Sequence, residues 1–209
     1  MKIGIMGGTF DPIHKGHLML GEYAYKQYGL DKVLFMPNGT PPHKDNAKIG
    51  TSAKNRMEMV ELAIAGRDEF ELQTYEILNQ ETNYSYKTME HFVSLYPEDE
   101  FYFIIGADSL FAFETWRNPD RLVKTCTILA AYRDDKSTDD MLLQIEYLNK
   151  KYSAYIRLLN TPNVDISSSE IRSMLHDAES ICEMVPEAVY DYIKDNHLYY
   201  GECQRWNIT

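Results

Sequence analysis

The sequence has few cysteines, no long apolar run and comparatively little positive charge. Its three cysteines, at positions 126, 182 and 203, are widely scattered and form no CxxC pair. Scattered cysteines are typical of free thiols in a reducing compartment, so a cytoplasmic location is expected. The apolar run 101–105 is far too short to cross a bilayer, and glycines interrupt the apolar N-terminus before a signal-peptide core could form. No membrane association is therefore expected.

The charge balance is acidic. Among 209 residues, 32 Asp and Glu outnumber 21 Lys and Arg, which gives a net charge of −11. Proteins that bind nucleic-acid polymers draw their affinity from a dense basic face, so no such partner is expected. A small phosphorylated ligand needs only local positive charge and aimed N–H groups, which an acidic protein can supply in one cleft. The charge therefore excludes a polymer more firmly than an anionic small substrate.

Short β-rich runs alternate with helical patterns along the chain. The apolar and β-branched runs predict strands at 2–6, 32–36, 70–75, 101–105, 127–132 and 155–159. Capping residues and apolar periodicity predict helices at 17–28, after Ser52 or Thr51, at 85–96, at about 168–177 and after Pro186, while 133–140 resembles a loop. This alternation predicts a single Rossmann-like α/β domain over 1–209, with a doubly wound, mostly parallel sheet and a small C-terminal helical subdomain at about 165–209.

The segment from Gly7 to His17 follows the first predicted strand directly and reads GGTFDPIHKGH. Ligands of such folds bind at the carboxyl ends of the strands, and glycines there let backbone N–H groups approach a polyphosphate. The dinucleotide fingerprint GxGxxG is missing, which argues against a dehydrogenase. A phosphate-binding GxxxxGK[ST] loop is missing too, because His17 follows Gly16. The segment therefore predicts a phosphate site of another kind.

His14 and His17 stand three residues apart at the start of the predicted helix, so both can point towards one ligand. Imidazole N–H groups suit nucleotidyl transfer, in which oxygens that gain charge must meet prearranged donors. Two histidines in a loop could also be ordinary polar surface. A zinc site is a weaker alternative, because no third ligand follows at a metal-like spacing.

Two further segments carry groups that suit phosphates. Ser167, Ser168 and Ser169 stand at a helix N-terminus, with Arg172 close behind, and free N–H groups at such a site can bind an anion. By itself a serine run is usually a plain helix cap. Lys44 follows two rigid prolines in the loop after the second strand, and its ammonium group is a compact point charge.

Asp108 and Trp116 follow the most apolar strand. A carboxylate at a strand's carboxyl end can accept hydrogen bonds from ribose hydroxyls, although Asp108 could equally cap a helix beginning near Ser109. A lone tryptophan is usually part of a core or an interface. Stacking on a flat, electron-poor ring would also suit Trp116.

The segment GGTFDPIHKGH resembles the signature of the nucleotidyltransferase superfamily with (T/H)xGH motifs. From residue 2 to about 200, the chain resembles the bacterial nicotinate mononucleotide adenylyltransferases of that superfamily. The resemblance implies transfer of AMP from ATP to nicotinate mononucleotide, which gives nicotinate adenine dinucleotide and pyrophosphate in NAD biosynthesis. Mg²⁺ is expected to be carried on the ATP phosphates, since no acidic cluster in the sequence identifies a protein site for it. The sequence is compatible with a homo-oligomer.

The resemblance assigns roles to individual residues. His17 would stabilise the transferred α-phosphate beside His14, while Lys44 would face the acceptor phosphate and Arg172 the leaving pyrophosphate. The residues expected to bind ATP are Gly7, Gly8, Thr9, Phe10, His14, His17, Ser167, Ser168, Ser169 and Arg172. Those expected to bind the mononucleotide are Thr9, Lys44, Tyr84, Ser85, Asp108 and Trp116.

Three positions depart from the family's motifs. Ser169 stands where threonine is usual, and in the segment resembling SYTxDT, Ser85 replaces threonine and Lys87 replaces aspartate. Lys87 would alter the charge near the base if it pointed inward, so an enzyme preferring nicotinamide mononucleotide is the closest alternative. A nucleotide-sensing module without turnover is a further one. Such a module would be expected to lack one of the four catalytic side chains, and all four are present.

Overall fold

The computed structural model describes residues 1–39, 50–79, 82–132, 137–163, 166–174 and 181–199. Lys44, one of the predicted site residues, lies outside these ranges. Within them, no helix is long and apolar enough to cross a membrane.

Six strands form one sheet, and every pairing between neighbouring strands is parallel. The order across the sheet is β3-β2-β1-β4-β5-β6. This order confirms the predicted Rossmann-like α/β fold. The strands are β1 (Lys2–Gly8), β2 (Lys32–Pro37), β3 (Phe70–Leu72), β4 (Glu100–Gly106), β5 (Thr127–Ala131) and β6 (Ile156–Leu159).

Helices follow most of the strands, as parallel connections require. Several ends have local causes that the sequence predicts: Gly29 ends the first helix in a left-handed conformation, with φ 58°, and the Ser52 side chain caps the second. The helices are α1 (Lys15–Tyr28), α2 (Ala53–Ile64), α3 (Tyr75–Leu78), α4 (Ser85–Leu95), α5 (Ala107–Phe111), α6 (Pro119–Leu122), α7 (Thr138–Tyr152), α8 (Ser168–Met174) and α9 (Glu187–Asp195).

Two apolar cores lie on the two faces of the sheet. One joins the inner faces of α1, α2 and α9 and includes Phe35, Met59 and Val189. The other joins α4 and α7 to the opposite face and includes Ile5 and Leu148. Because both faces are covered, the strands are almost continuously apolar, as in other buried parallel sheets.

Two predicted boundaries are wrong. The third strand ends at Leu72 rather than continuing to residue 75, because the Gln73 side chain accepts a hydrogen bond from the Tyr75 N–H and helix α3 begins there. The predicted loop at 133–140 is wrong from Thr138 onward, where α7 starts. The Ser137 side chain caps this helix, which the polar composition of its first turn concealed.

The order of the strands reverses between β1 and β4. In open parallel sheets, a crevice forms at such a reversal, beyond the carboxyl ends of the strands. Here β1 ends at Gly8 and β4 ends at Gly106. The fold therefore places a crevice where the glycine–histidine segment begins.

Candidate active site

A cleft of about 660 Å³ opens at the carboxyl ends of β1 and β4. The site residues that the sequence predicts and the structure describes all line it, although they come from five separate segments. They are Gly7, Gly8, Thr9, Phe10, His14, His17, Tyr84, Ser85, Asp108, Trp116, Ser167, Ser168, Ser169 and Arg172.

The two histidines are held together at the N-terminus of α1. His14 is the capping residue, and its backbone N–H donates to Nδ1 of His17 at 3.3 Å. The rings stack with centroids 3.7 Å apart. Because Nδ1 of His17 accepts this bond, the neutral ring carries its proton on Nε2, which becomes a donor.

Phe10 supports the ring of His17 from behind. Phe10 is buried, and the two rings meet edge to face with centroids 5.0 Å apart. A Cβ on Gly8 would lie 3.0 Å from the Phe10 ring, so any larger residue would have to push the ring aside by a few tenths of an ångström. Phe10 has φ 50°, a left-handed conformation that costs free energy for a bulky side chain and persists only where its surroundings hold it.

The serine run of α8 docks on the turn that precedes the histidines. The Ser167 side chain accepts from the Glu170 N–H at 3.1 Å, so it is the helix cap. Ser168 instead donates its hydroxyl to the carbonyl of Pro12 at 2.9 Å. A plain cap would need only the first of these contacts, and the second fixes α8 against the turn that contains Pro12.

Arg172 reaches the same turn. Its Nη1 donates to the carbonyl oxygen of Asp11 at 2.7 Å, and its Nη2 lies 3.3 Å from the hydroxyl of Ser169. The side chain is 28% exposed, so a ligand in the cleft can still reach it. Arginine therefore supplies positive charge beside the helix N-termini.

Another part of the cleft wall is formed by α4, α5 and Trp116. Tyr84 is the capping residue of α4, and Ser85 opens the helix. Trp116 is partly buried and packs against Phe103 and Phe113, with ring centroids 6.2 and 5.5 Å away. One wall of the cleft is thus aromatic.

The structure decides between the alternatives that the sequence leaves open for Asp108 and for Lys87. Helix α5 begins at Ala107 with Gly106 as its capping residue, so the interpretation of Asp108 as a helix cap is wrong. Asp108 instead lies exposed in the first turn and lines the cleft. Lys87 is exposed and is not among the residues that line the cleft, so its side chain does not point inward.

Glu76 is a buried acidic group in the cleft wall that sequence reasoning missed. Thr88 donates its hydroxyl to Oε1 at 2.8 Å, and the Asn83 side chain donates to the Glu76 carbonyl at 2.7 Å. Burial raises the pKa of Glu76, and the hydrogen bond from Thr88 opposes this rise. No local pattern in the sequence marks Glu76, because its burial depends on α3 packing beside α4.

Replacing Glu76 with glutamine is expected to make the protein more stable at pH 8 and not at pH 4. The raised pKa means that the native state keeps a proton that the unfolded chain loses above its ordinary pKa of 4.5. Native stability is thus complete below that value and falls as pH rises towards the folded pKa, by about 1.4 kcal/mol for each unit of pKa difference. Urea unfolding at the two pH values measures the effect.

Glu61→Gln is the matched control, because Glu61 lies on the exposed side of α2. It should leave the pH dependence of the free energy of unfolding as in the unaltered protein. A Glu76→Gln effect that is equal at both pH values would contradict the assignment of burial as its cause.

Among the described residues, no group of three or more His, Cys, Asp or Glu side chains is arranged to hold a metal ion. The cleft instead combines histidine donors, helix N-termini and an arginine, all of which favour anionic oxygens. This arrangement can bind a polyphosphate and stabilise charge that develops on it.

Known proteins are similar to this chain over nearly its whole length. A family model described as cytidylyltransferase-like matches residues 5–174. A relative from Lachnoclostridium phytofermentans, named "Probable nicotinate-nucleotide adenylyltransferase", is 41% identical over 198 residues, which cover 95% of this chain and 98% of the relative. A relative of the same name from Listeria monocytogenes is 40% identical, with 95% and 97% covered. This chain belongs to the nicotinate-nucleotide adenylyltransferase family.

The fold of this chain also matches that of a solved nicotinic acid mononucleotide adenylyltransferase. The Plasmodium falciparum nicotinic acid mononucleotide adenylyltransferase, complexed with NaAD, aligns with a TM-score of 0.78 at 25% identity, covering 95% of this chain and 97% of that one. Membership of the nicotinate-nucleotide adenylyltransferase family makes the protein a nucleotidyltransferase. Nucleotidyltransferases of this kind typically use a divalent metal ion to neutralise phosphate charge.

Proposed function

We propose that this enzyme joins ATP and nicotinate mononucleotide to give nicotinate adenine dinucleotide and pyrophosphate, a step of NAD biosynthesis. One observation carries the proposal: the paired histidines, the serine–arginine end and the aromatic end all line a single cleft. The first end suits a polyphosphate and the second a pyridine ring. A dinucleotide product requires both, with the reacting phosphorus between them.

The reaction is an in-line attack by the 5′-phosphate of the mononucleotide on the α-phosphorus of ATP. One P–O bond forms to the attacking phosphate oxygen, while the bond between the α-phosphorus and the leaving pyrophosphate breaks. The substrate phosphate is the nucleophile, so no side chain needs to attack, and positioning supplies much of the acceleration. His17, with its Nε2 proton directed away from the His14 backbone, would donate to the oxygens that gain charge.

At the polyphosphate end, Arg172 would bind the leaving pyrophosphate together with the serines of α8. Lys44 would face the acceptor phosphate. Mg²⁺ is proposed to enter on the ATP phosphates, where it would neutralise charge on the leaving group. The scattered cysteines support a cytoplasmic location, where ATP and the mononucleotide are both available.

The N-terminus of α4 supports nicotinate as the base. The first N–H groups of a helix lack partners within the helix and favour an anion, and α4 has no acidic residue in its first turn. Glu76 lies close by, but burial raises its pKa and so favours its neutral form. A carboxylate on the pyridine ring would therefore meet helix N–H donors, from which a carboxamide would gain less.

Pyrophosphate release from ATP and Mg²⁺, measured with each mononucleotide in turn, tests the proposal. We expect kcat/KM for nicotinate mononucleotide to exceed that for nicotinamide mononucleotide by roughly 10-fold or more, the scale of a charge-assisted hydrogen bond. Faster release with the amide would reverse the base preference. No release with either would overturn the assignment of substrate. Lys87→Ala, an exposed change in the same helix, should leave the ratio unaltered.

A further inference from the structure

We propose that Tyr199 is a positioning residue for the pyrophosphate end of the site, acting through the buried carboxylate of Asp11. By binding this carboxylate, the tyrosine hydroxyl keeps Arg172 from closing into a direct ion pair with Asp11, so that the guanidinium stays available to the ligand. The inference rests on the proposed role of Arg172 in binding pyrophosphate.

Asp11 is the centre of a buried polar network beneath the histidine turn. Asp11 is only 2% exposed. The Tyr199 hydroxyl donates to Oδ1 at 2.8 Å, and the Gly50 N–H donates to Oδ2 at 2.6 Å. Both carboxylate oxygens thus have neutral donors, from segments that lie far away in the sequence.

Arg172 is held near the carboxylate without reaching it closely. Its Nη1 lies 3.9 Å from Oδ2 of Asp11, at the edge of ion-pair distance, and donates instead to the Asp11 backbone carbonyl at 2.7 Å. An unsatisfied buried carboxylate would draw an arginine strongly, because pairing offsets the cost of burying the charge. Because the two neutral donors already satisfy the carboxylate, Arg172 can remain on the backbone carbonyl.

Arg56 binds the backbone of the turn that contains Asp11. This residue of α2 is 2% exposed, and its Nη1 donates to the carbonyl of Thr9 at 2.8 Å. Burial lowers the pKa of the Arg56 guanidinium, while the Asp11 carboxylate opposes that change. Arg56 supplies positive charge that balances Asp11 without competing for the cleft.

Tyr199 is packed closely enough to act as a fixed donor. A Cβ added to Gly50 would lie 2.8 Å from the Tyr199 ring and 3.3 Å from Cδ of Arg172, so all three groups meet. Burial raises the pKa of Tyr199, and the Asp11 carboxylate raises it further, so the hydroxyl keeps its proton and remains a donor. Tyr199 has φ 68°, a left-handed conformation that its tertiary contacts must hold.

Tyr199→Phe tests the proposal because it removes the hydroxyl and keeps the ring. One oxygen of Asp11 then loses its donor, and Arg172 should close onto the carboxylate. We expect the Kd for pyrophosphate, titrated with Mg²⁺ and no mononucleotide, to rise roughly 3- to 10-fold, the scale of one typical hydrogen bond. The KM for ATP should rise in parallel, while the KM for the mononucleotide should stay within about two-fold.

Tyr192→Phe is the matched control. Tyr192 lies on α9 and donates its hydroxyl to Asn55 of α2 at 3.2 Å, so it also joins the C-terminal segment to α2, but without contacting Asp11. It should leave the Kd for pyrophosphate within about two-fold of the unaltered enzyme. An equal loss in Tyr192→Phe and Tyr199→Phe would overturn the proposal, because the effect would then be general loosening of that segment.

A double-mutant cycle separates positioning through Arg172 from an independent effect. If Tyr199 acts through Arg172, Tyr199→Phe should weaken pyrophosphate binding by less than two-fold once Arg172→Lys is present. Effects that multiply would overturn the proposal. The pyrophosphate titration measures binding without turnover, so its result does not depend on which mononucleotide the enzyme uses. If Arg172→Lys alone leaves the Kd unchanged, the proposed role of Arg172 fails as well.

Discussion

Replacing His17 with alanine should lower kcat by about 10²–10³, the scale for losing one transition-state donor. The Nδ1 atom of His17 is fixed by the His14 backbone, and the Phe10 ring supports the imidazole from behind, so Nε2 is directed before the substrate arrives. Alanine is a good helix former, and α1 should therefore remain intact. The KM for ATP should change much less than kcat, because the interaction strengthens as the α-phosphate gains charge.

His91→Ala is the matched control for this substitution. His91 stacks on Tyr75, with ring centroids 4.2 Å apart, and does not line the cleft. It should retain kcat close to that of the unaltered enzyme. Single-turnover measurement of pyrophosphate release separates chemistry from product release in both variants. A near-normal kcat for His17→Ala would remove His17 from the mechanism.

The second large effect is expected in the core beneath the site. Phe35 is fully buried at the centre of β2 and contacts Phe70, with ring centroids 4.9 Å apart, and Phe10 at 6.1 Å. A Cβ on Gly21 would come within 2.8 Å of its ring, so α1 lies directly on it. Phe35→Ala should lower the free energy of unfolding by about 3–5 kcal/mol, because it leaves a cavity between α1 and the sheet.

Urea unfolding at one pH measures this loss, with Tyr155→Ala as the control. Tyr155 is 70% exposed, so its truncation should change the free energy of unfolding by about 0.5 kcal/mol or less. A loss below about 1 kcal/mol for Phe35→Ala would mean that α1 collapses onto the sheet and fills the cavity. Because Phe35 also contacts Phe10, some loss of kcat should accompany the loss of stability.

The class of fold follows from local patterns that the sequence displays openly. The apolar run of β4 and the Gly29 cap of α1 predict their elements within a residue or two. The strand order depends on which distant segments pair, and no local pattern carries that information. Helix α7 begins inside a stretch that resembles a loop, because the acidic residues that favour its first turn also favour solvent-exposed loops.

The cleft was largely predictable because its residues stand in short motifs at the carboxyl ends of strands. Parallel pairing brings those ends to one edge of the sheet, so the motifs converge once the fold is known. Glu76, Arg56 and Tyr199 were not predicted, because each depends on a contact between different elements of the fold. Local spacing cannot indicate that Tyr199 meets Asp11.

The central position of β1 governs when the turn that follows it becomes enclosed. This strand pairs on one side with β2, which follows after a single helix, and on the other with β4, where Lys2 lies opposite Glu100. The second pairing closes a chain loop of nearly half the protein, so its entropic cost must be met before β1 is enclosed. During synthesis, β1 and the histidine segment that follows it emerge early. However, β1 gains its second neighbouring strand only after β4 has left the ribosome.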